Sequence, residues 1–342
     1  MAKKKFFYII IAVLALARLT ACKIDPPKKE NVFKNTPIQI SAPNYFPKLV
    51  IPAQNPTSKE GVELGRRLYY DPILSTNGPL QGLACASCHL QSKSFSNDDP
   101  GTSVIPHVNM AWRTNFLWKG GVEGSLEDVM LFEVEDFFKA DMNVLQNDPN
   151  YPELFDKAFG SSTITSQNAA FALAQFFRTL VSANSKYDQF LRRETALSYS
   201  ERKGLTIFES EKGDCFHCHS LPLTLDNSFH NTGLDSVFEG EQKGRFLVTS
   251  DSSDLGKFMT PTLRNIALTG PYMHDGRFKT LREVIEHYNS EVHQTDQLDP
   301  IMTKNGRNGL QLSPQEVDHL IDFLHTLTDT TFTNNSDLSS PF

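Results

Sequence analysis

The sequence predicts an all-α fold built from two similar halves in tandem, and three observations support this. Two stretches, beginning at residues 57 and 313, combine a capping box with apolar residues at helical spacing, and further helices are expected to begin at residues 125 and 280. No stretch of useful length alternates polar and apolar residues as a half-buried strand does. The motif Cys-x-x-Cys-His occurs at residues 85–89 and again at residues 215–219, which indicates one copy for each half.

These two motifs are typical of covalent haem attachment. Two thiols one helical turn apart can form thioethers to the vinyl groups of a haem, and the adjoining imidazole then becomes an axial ligand of the iron. A structural zinc site or a pair of redox thiols is the alternative. Zinc ribbons place their cysteine pairs closer together, and neither alternative needs a histidine after both second cysteines. The residues expected to bind two covalent haem c groups are Cys85, Cys88, His89, Cys215, Cys218 and His219.

Residues 1–21 have the organisation of a bacterial export signal. A basic start at residues 3–5 precedes an apolar segment, 6–17, that is too short to remain as a membrane-spanning helix. Leu19 lies three positions before Cys22, as in a lipobox, so we expect Cys22 to carry a lipid. An ordinary cleaved signal with an incidental cysteine is the alternative. Haem attachment and lipidation both imply the periplasmic side of the cell envelope.

The charge balance favours some partners over others. The chain has 33 Lys and Arg against 40 Asp and Glu, a net charge of −7, and residues 1–21 contain basic residues but no acidic ones. The exported chain would therefore be more acidic still, which makes nucleic acid a poor partner. A basic electron-donor protein would be attracted by complementary charge, although the same charge also serves solubility.

The length of the chain predicts two domains behind a tether. Residues 22–57 are rich in proline, contain no glycine and show no helical period, so we expect a semi-extended tether. The remaining chain accommodates two domains of ordinary size, which we place at 58–195 and 196–329. The polar segment 330–342 is expected to be a disordered tail.

An internal repeat supports the two domains. Each motif follows an expected amphipathic helix, at 60–70 in the first half and 201–208 in the second. A further expected helix, 166–180, is apolar on most faces, and we expect it to pack between the domains.

The repeat continues after the motifs. Asn109 and Asn265 each follow a proline closely, and nine positions after each asparagine comes a side chain suited to a haem edge. This side chain is Trp118 in the first half and His274 in the second. A core aromatic is the alternative interpretation of Trp118.

At this point the chain resembles the bacterial di-haem cytochrome c peroxidases and the related MauG-like maturation enzymes of methylamine utilisation. The resemblance implies two cytochrome-c-like haem domains in tandem. It also implies an N-terminal haem that reacts with hydrogen peroxide, a C-terminal haem that relays electrons, and Trp118 between them. A small cytochrome c or cupredoxin is the implied electron donor. The segments that carry the resemblance are 64–72, 85–89, 116–121, 260–265 and 271–278.

The resemblance also implies a catalytic acid at the first haem. The family's distal glutamate corresponds to Asp141, which is one methylene shorter, and the family's glutamine corresponds to Val129. The distal histidine of many relatives corresponds to Ser103, so we expect an open sixth position. His107 lies nearby, and we expect it to be exposed rather than a ligand.

The sixth ligand of the second haem has three candidates, Met273, Tyr288 and Met302. Helical periodicity places Tyr288 on the same inward face as Leu281. Ordinary relatives have methionine fourteen positions after the residue that corresponds to His274, whereas the MauG-like branch has tyrosine. We therefore expect Tyr288 to bind this iron and His274 to lie beside the haem. A core tyrosine, with Met302 or no residue as ligand, is the alternative.

The family resemblance implies one calcium ion as well. Its matching ligands would be the backbone carbonyls of Thr269 and Pro271, with Ser103 near the position of a side-chain amide in relatives.

The expected function is that of a di-haem c-type peroxidase that reduces hydrogen peroxide to water. Two alternatives stay open on the sequence. One is a MauG-like oxidase that withdraws electrons from a partner protein, and the other is a non-enzymatic, membrane-anchored electron carrier.

Overall fold

The computed structural model describes residues 33–99, 101, 103–306 and 309–342. The expected export signal and Cys22 lie outside these residues. The chain from Asn35 to Phe342 forms one unit. Among the described residues, no helix is both long enough and apolar enough to cross a membrane.

Helices dominate the described chain, as the all-α prediction required. Two π-helical turns, Glu133–Phe137 and His287–Glu291, continue the helices Leu126–Phe132 and Leu281–Glu286. The strands form two small antiparallel pairs, β1 (Asn115–Phe116) with β2 (Val122–Glu123) and β3 (Phe229–His230) with β4 (Phe258–Met259). The helices in chain order are α1 (Lys59–Tyr70), α2 (Cys85–Cys88), α3 (Leu126–Phe132), α4 (Met142–Asn147), α5 (Tyr151–Phe159), α6 (Ser166–Phe177), α7 (Lys186–Leu191), α8 (Tyr199–Phe208), α9 (Phe246–Thr249), α10 (Leu281–Glu286), α11 (Pro314–His325) and α12 (Thr330–Thr333).

Each half is organised around a packed pair of helices. In the first half α1 packs against α6, and Gly65 lies so close to the backbone of Ala172 that a Cβ atom would overlap its carbonyl group. In the second half α8 packs against α11, and Gly204 lies in the same way against the backbone of His319. The helix before each Cys-x-x-Cys-His motif is therefore held by a close glycine contact to a later helix.

The structure confirms the predicted helix start at Thr280, which caps α10, and the predicted capping box at Ser313, which caps α11. Thr280 accepts a hydrogen bond from the backbone of Glu283, whose carboxylate accepts one from the Thr280 N–H in return. Ser313 starts α11 with the same reciprocal pair. The cap of α1 is Ser58, one residue later than the start of the predicted signal at Thr57.

The predicted repeat is visible in the positions of two asparagines. Asn109 and Asn265 are fully buried, both have a left-handed backbone conformation, and each starts a 3₁₀ turn. The Asn109 amide exchanges two hydrogen bonds with the backbone of Ser182. The Asn265 amide accepts from the Asp329 N–H and donates to the Ser94 hydroxyl, at 2.6 Å and 2.7 Å. Asparagine suits these positions because its side chain tolerates a positive φ and forms local hydrogen bonds.

The expected position of the apolar helix was wrong. Helix α6 ends at Phe177 and packs against α1 and α3, inside the core of the first half rather than between the halves. Its broad apolar surface is explained by these two partners, which cover it on more than one side.

The C-terminal segment differs from the expected disordered tail. Phe332 on α12 is only 3% exposed, and its ring packs edge-on against Phe95 at 5.5 Å. The Asp329 carboxylate caps α12 by accepting from two of its backbone N–H groups. Residues 35–57, expected to be a tether, have no helix or strand, yet they also contact the rest of the unit through buried side chains such as Asn55.

Candidate haem sites

The first motif forms the short helix α2 and presents its thiols one turn apart. Cys85 packs against the hydrophobic core of the first half, Cys88 is exposed, and neither forms a disulfide. His89 Nδ1–H donates a 2.8 Å hydrogen bond to the carbonyl oxygen of Phe95, which leaves Nε2 free. Burial lowers the pKa of His89 to about 4, so the imidazole is neutral at physiological pH and can bind a metal.

The second motif repeats this arrangement. His219 Nδ1–H donates to the carbonyl oxygen of Thr224 at 3.1 Å. Phe95 and Thr224, which supply the two accepting carbonyls, both have a positive φ. This is unusual for a β-branched residue, and hydrogen bonds of the Thr224 hydroxyl with Leu263 N–H and Thr262 hold it in place. No sequence signal marked either carbonyl, since neither residue is a glycine or an asparagine.

A cavity beside the second motif brings together the residues predicted to surround a haem. It is lined by Cys215, Cys218 and His219, and also by all three candidate sixth ligands, Met273, Tyr288 and Met302. Tyr288 lies on the π-helical turn that follows α10. The apolar side chains of α10 line the cavity with it, so the predicted inward face of this helix is the one that the structure presents. Burial raises the pKa of Tyr288.

Trp118 lies on the connection between β1 and β2 and reaches the same cavity. Its Nε1–H donates a 3.0 Å hydrogen bond to the carbonyl oxygen of Ser103, and its own carbonyl accepts from the N–H of Met259 at 2.9 Å. Its side chain lines the cavity together with His219. A residue from the first half is therefore positioned against the second motif.

His274 also lines this cavity. Its ring stacks on Phe258 at 3.5 Å with an angle of 10° between the rings. Its Nε2 lies 2.6 Å from the Gln242 side-chain oxygen, and burial lowers its pKa to about 4. The ring is therefore neutral and held in one orientation.

His107, which we expected to be exposed, is partly buried beside the first motif. Its ring stacks on that of His89 with centroids 3.5 Å apart. The hydroxyl of Tyr69, a fully buried residue, lies 3.1 Å from His107 Nδ1. This arrangement holds His107 beside the proximal imidazole, and the sequence analysis missed Tyr69.

Two carboxylates lie near the end of α3 in different surroundings. Asp141, the predicted acid, is the N-cap of α4, where its Oδ1 accepts from the backbone N–H and the side-chain amide of Asn143. Glu133 starts the π-helical turn, and burial raises its pKa to about 7. Val129, which replaces the family's glutamine, is buried. The sequence analysis did not single out Glu133.

The predicted calcium ligands Thr269 and Pro271 line the cavity of the second motif, as does Ser103. Thr269 and Pro271 are both buried. The structure therefore brings these three residues to one region.

Two covalent haem-attachment motifs on a helical body, with neutral histidines oriented by backbone carbonyls, define the class of di-haem c-type cytochromes. A family model described as di-haem cytochrome c peroxidase matches residues 59–196, and a cytochrome c model matches residues 202–328. The methylamine utilization protein MauG of Methylophilus methylotrophus is 33% identical over 93% of this chain and 94% of its own length. The cytochrome c551 peroxidase of Nitrosomonas europaea is 30% identical over 81% of this chain and 83% of its own length. The chain belongs to the di-haem cytochrome c peroxidase and MauG family and is an oxidoreductase of the peroxidase type.

Solved structures agree with the tandem arrangement. A MauG-like protein associated with microbial copper homeostasis matches 89% of this chain and 99% of its own, with a TM-score of 0.76 and 30% identity. A di-haem peroxidase from Burkholderia thailandensis matches 84% and 91% with a TM-score of 0.67, and at 18% identity it supports the fold alone. The family implies two haem c groups, and the free motif thiols, the oriented motif histidines and the cavity at His219 fit them.

Proposed function

We propose that this protein reduces hydrogen peroxide to water, with peroxide reacting at the first motif and electrons arriving through the second. Each turnover consumes one peroxide, two electrons and two protons and yields two water molecules. The bound haem groups supply a peroxide-reactive iron at His89 and an electron-relay iron at His219. The observation that carries the proposal is the position of Trp118, which belongs to the first half and lines the cavity of the second motif.

The two motif histidines would hold the haem irons with their rings in fixed orientations. Their Nδ1–H groups donate to backbone carbonyls, at 2.8 Å for His89 and 3.1 Å for His219. Such a bond fixes the tautomer and the ring orientation and increases the basicity of Nε2. Both carbonyls belong to residues in a strained conformation, so the surrounding fold sets the direction of each imidazole.

Trp118 serves as the electron path between the sites. Its indole is fixed at both ends, since the ring N–H is bonded to Ser103 and the backbone carbonyl to Met259. The chain from Ser103 continues to His107, whose ring stacks on His89. The indole is thus bonded to the segment that leads to the first motif, and Trp118 lines the cavity of the second. His274, which lines the same cavity, is proposed to fix the second haem.

A second function, oxidation of a partner protein as in MauG-like relatives, is favoured by one observation. Tyr288 is a tyrosine in the cavity of His219, at a position where a phenolate could bind the iron. A phenolate is a hard anionic ligand that stabilises ferric and higher states over ferrous, whereas methionine raises the potential. Tyr288 ligation therefore suits the sharing of oxidising equivalents more than the storage of one electron.

The remaining proposals concern the surroundings of the enzyme. We place it on the periplasmic side of the envelope, anchored by a lipid on Cys22. Its acidic charge favours a basic donor such as a small cytochrome c or cupredoxin. A calcium ion held by the carbonyls of Thr269 and Pro271 would stabilise the wall of the second cavity. The resemblance assigns proton transfer at the first haem to Asp141.

Peroxide titration of the purified di-haem protein tests the proposed function. Hydrogen peroxide is mixed with the oxidised and the half-reduced protein in a stopped-flow spectrometer, and steady turnover is measured with a reduced small cytochrome c as donor. We expect rapid peroxide consumption that is coupled to donor oxidation. The variant Cys215→Ala with Cys218→Ala, which keeps only the first haem, should lose the donor-coupled turnover.

The outcomes separate the two candidate functions. Peroxide consumption without oxidation of any small donor favours oxidation of a partner protein. A protein loaded with both haem groups that does not react with peroxide in either redox state contradicts both.

A further inference from the structure

Glu133 is a carboxylate at a structurally distinctive point. It follows directly after α3 and starts the π-helical turn Glu133–Phe137. Its carbonyl accepts the N–H of Phe138 across this turn at 2.8 Å. Single π turns inserted at the end of α-helices are frequent at functional sites, because the extra residue redirects the side chains that follow.

The internal repeat gives Glu133 a counterpart in the second half. Helix α3 begins after Ser125 and α10 begins after Thr280, and a π-helical turn continues each of them. Glu133 lies eight positions after Ser125, and Tyr288 lies eight positions after Thr280. Tyr288 lines the cavity of the second haem motif. Counted from the caps, Glu133 is the corresponding residue of the first half, although it is the first residue of its π-helical turn and Tyr288 is the second of its own.

The surroundings of Glu133 agree with this placement. Burial raises the pKa of the Cys85 haem-attachment thiol, and the nearby carboxylate of Glu133 raises it further. Val129, one turn earlier on the same helical face, belongs to the hydrophobic core against which Cys85 packs. The electrostatic effect on Cys85 therefore places the carboxylate near the first haem motif.

The carboxylate has no structural partner within the described part of the chain. No hydrogen bond or ion pair reaches it there, and burial is the only cause that raises its pKa to about 7. Its acidic neighbours are engaged, since Glu127 forms an ion pair with Arg178 and Asp128 accepts from the Ser125 N–H. A partly buried carboxyl group without a partner costs stability, so the structure gives it no stabilising role.

We propose that Glu133 is the carboxyl group that transfers a proton between the two oxygens of hydrogen peroxide at the first haem site. This inference rests on the proposed peroxidase function. The carboxylate accepts the proton of one peroxide oxygen and donates it to the other. The O–O bond then breaks, and the doubly protonated oxygen leaves as water. The remaining oxygen becomes the second water with the two electrons and two protons of the overall reaction.

Glu133 is better placed for this step than Asp141. The Asp141 carboxylate accepts two hydrogen bonds from Asn143 as the cap of α4. A carboxylate oxygen that caps a helix is already engaged by its N–H donors. Glu133 has no such bond to break, and a pKa near 7 matches a group that both accepts and donates a proton near neutral pH.

Few titratable groups lie near Glu133, so little should interfere with the titration of its carboxyl group. Helix α6, which packs against the π turn, contains no titratable side chain. Glu135 and Asp136 on the same turn are exposed. Cys85 becomes a thioether in the haem-loaded protein and then carries no charge. The pH dependence of the peroxide reaction near neutral pH should therefore report Glu133 itself.

The test compares Glu133→Gln with the matched control Glu135→Gln in the di-haem protein. Glu133→Gln should lower the second-order rate constant for peroxide by at least about 100-fold, since a positioned acid-base group contributes that much. Glu135→Gln removes an exposed acid on the same turn and should leave the rate unchanged. Glu133→Asp keeps a carboxyl group and should restore part of the rate. Unchanged haem spectra and circular dichroism would show that each variant folds and loads haem.

A second readout does not depend on turnover. The infrared band of a protonated carboxylic acid should be present in the wild type at pH 5, disappear at pH 9, and be absent at both in Glu133→Gln. The rate of the wild type should rise with pH through about 7, and that of Glu133→Gln should not. An equal rate in Glu133→Gln, or a comparable loss in Asp141→Asn alone, would overturn the assignment. A changed resting spin state of the first haem in Glu133→Gln would also overturn the assignment, because it would indicate that Glu133 binds the iron. A wild-type protein that does not react with peroxide would contradict the proposed peroxidase function itself, rather than the role of Glu133 within it.

Discussion

The partly buried carboxyl group of Glu133 should make the stability of the protein depend on pH, and a single substitution should remove this dependence. Burial raises the pKa of Glu133 from 4.5 to about 7. Above pH 4.5 the unfolded chain ionises this group while the folded protein keeps its proton. The unfolded state therefore gains free energy as pH rises, and the folded protein loses stability until the pH passes about 7. The contribution is complete below pH 4.5 and gone above pH 7.

The size of the effect follows from the two pKa values. Each pKa unit corresponds to about 1.4 kcal/mol, so the difference gives a limit of about 3 kcal/mol in the free energy of unfolding. The side chain is partly accessible to solvent, and screening should reduce the observed effect to roughly half of that. Glutamine at position 133 cannot ionise, so Glu133→Gln should lack this part of the pH dependence.

Denaturant unfolding followed by far-UV circular dichroism at pH 5 and pH 8 measures the difference. Relative to the wild type, Glu133→Gln should become more stable by about 1–2 kcal/mol on going from pH 5 to pH 8. Glu135→Gln, with its exposed side chain, serves as the control and should follow the wild type. Parallel pH profiles for the wild type and Glu133→Gln would show that this carboxyl group is not held protonated by the fold.

Three further predictions concern the haem groups and their connection. Mass spectrometry of the mature protein should show two haem increments and a diacylglycerol on Cys22, and a single increment would contradict the two-site architecture. Trp118→Phe should keep both haem spectra and slow turnover by orders of magnitude, whereas unchanged turnover would leave Trp118 as a packing residue. Tyr288→Phe should convert a low-spin ferric signal to high-spin, and Tyr288→Met should raise that haem's potential. If the low-spin signal survives Tyr288→Phe and is lost in Met302→Leu, the ligand is Met302.

The sequence predicted the parts of this protein that depend on local signals. The Cys-x-x-Cys-His motifs, the helix start at Thr280, the capping box at Ser313 and the helical class each rest on short patterns with a direct physical cause. The repeat was visible because Asn109 and Asn265 occupy positions with a positive φ, where few residues other than glycine are tolerated. These features are properties of a few consecutive residues, and tertiary packing preserves them.

The sequence missed features that only the folded chain creates. The carbonyls of Phe95 and Thr224 orient the two proximal histidines, yet both residues have side chains that ordinarily disfavour their backbone conformation. Glu133 stands among other acidic residues, and only the packing of α3 against α6 separates it from exposed neighbours such as Glu135. The burial of Glu133 and its π turn arise only when the chain folds. Neither the composition nor the periodicity of the sequence therefore identifies this carboxylate.

The prediction of a disordered C-terminal tail was wrong for a related reason. Residues 330–342 are mostly polar and lack a helical period, which favours disorder. Two apolar side chains, Phe332 and Leu338, are nevertheless enough to hold the segment, because each finds a place in the core of the first half. The Asp329 carboxylate adds hydrogen bonds to Ala183 and Asn184, so the end of the second half is tied back to the connection between them.

The two halves share a framework, and one difference within it bears on their proposed roles. In both, a capped helix ends in a π turn, and we compare the residues that lie eight positions after the two caps. In the second half this residue is Tyr288, whose phenol can occupy the sixth position of an iron and close it to peroxide. In the first half it is Glu133, whose partly buried carboxyl group can exchange a proton near neutral pH. Exchanging these two side chains should therefore exchange the reactivity of the sites more than their folds. The double variant Glu133→Tyr with Tyr288→Glu should show this as a low-spin first haem and a second haem newly open to small anionic ligands such as cyanide. A first haem that stays high-spin would contradict the equivalence of the two positions.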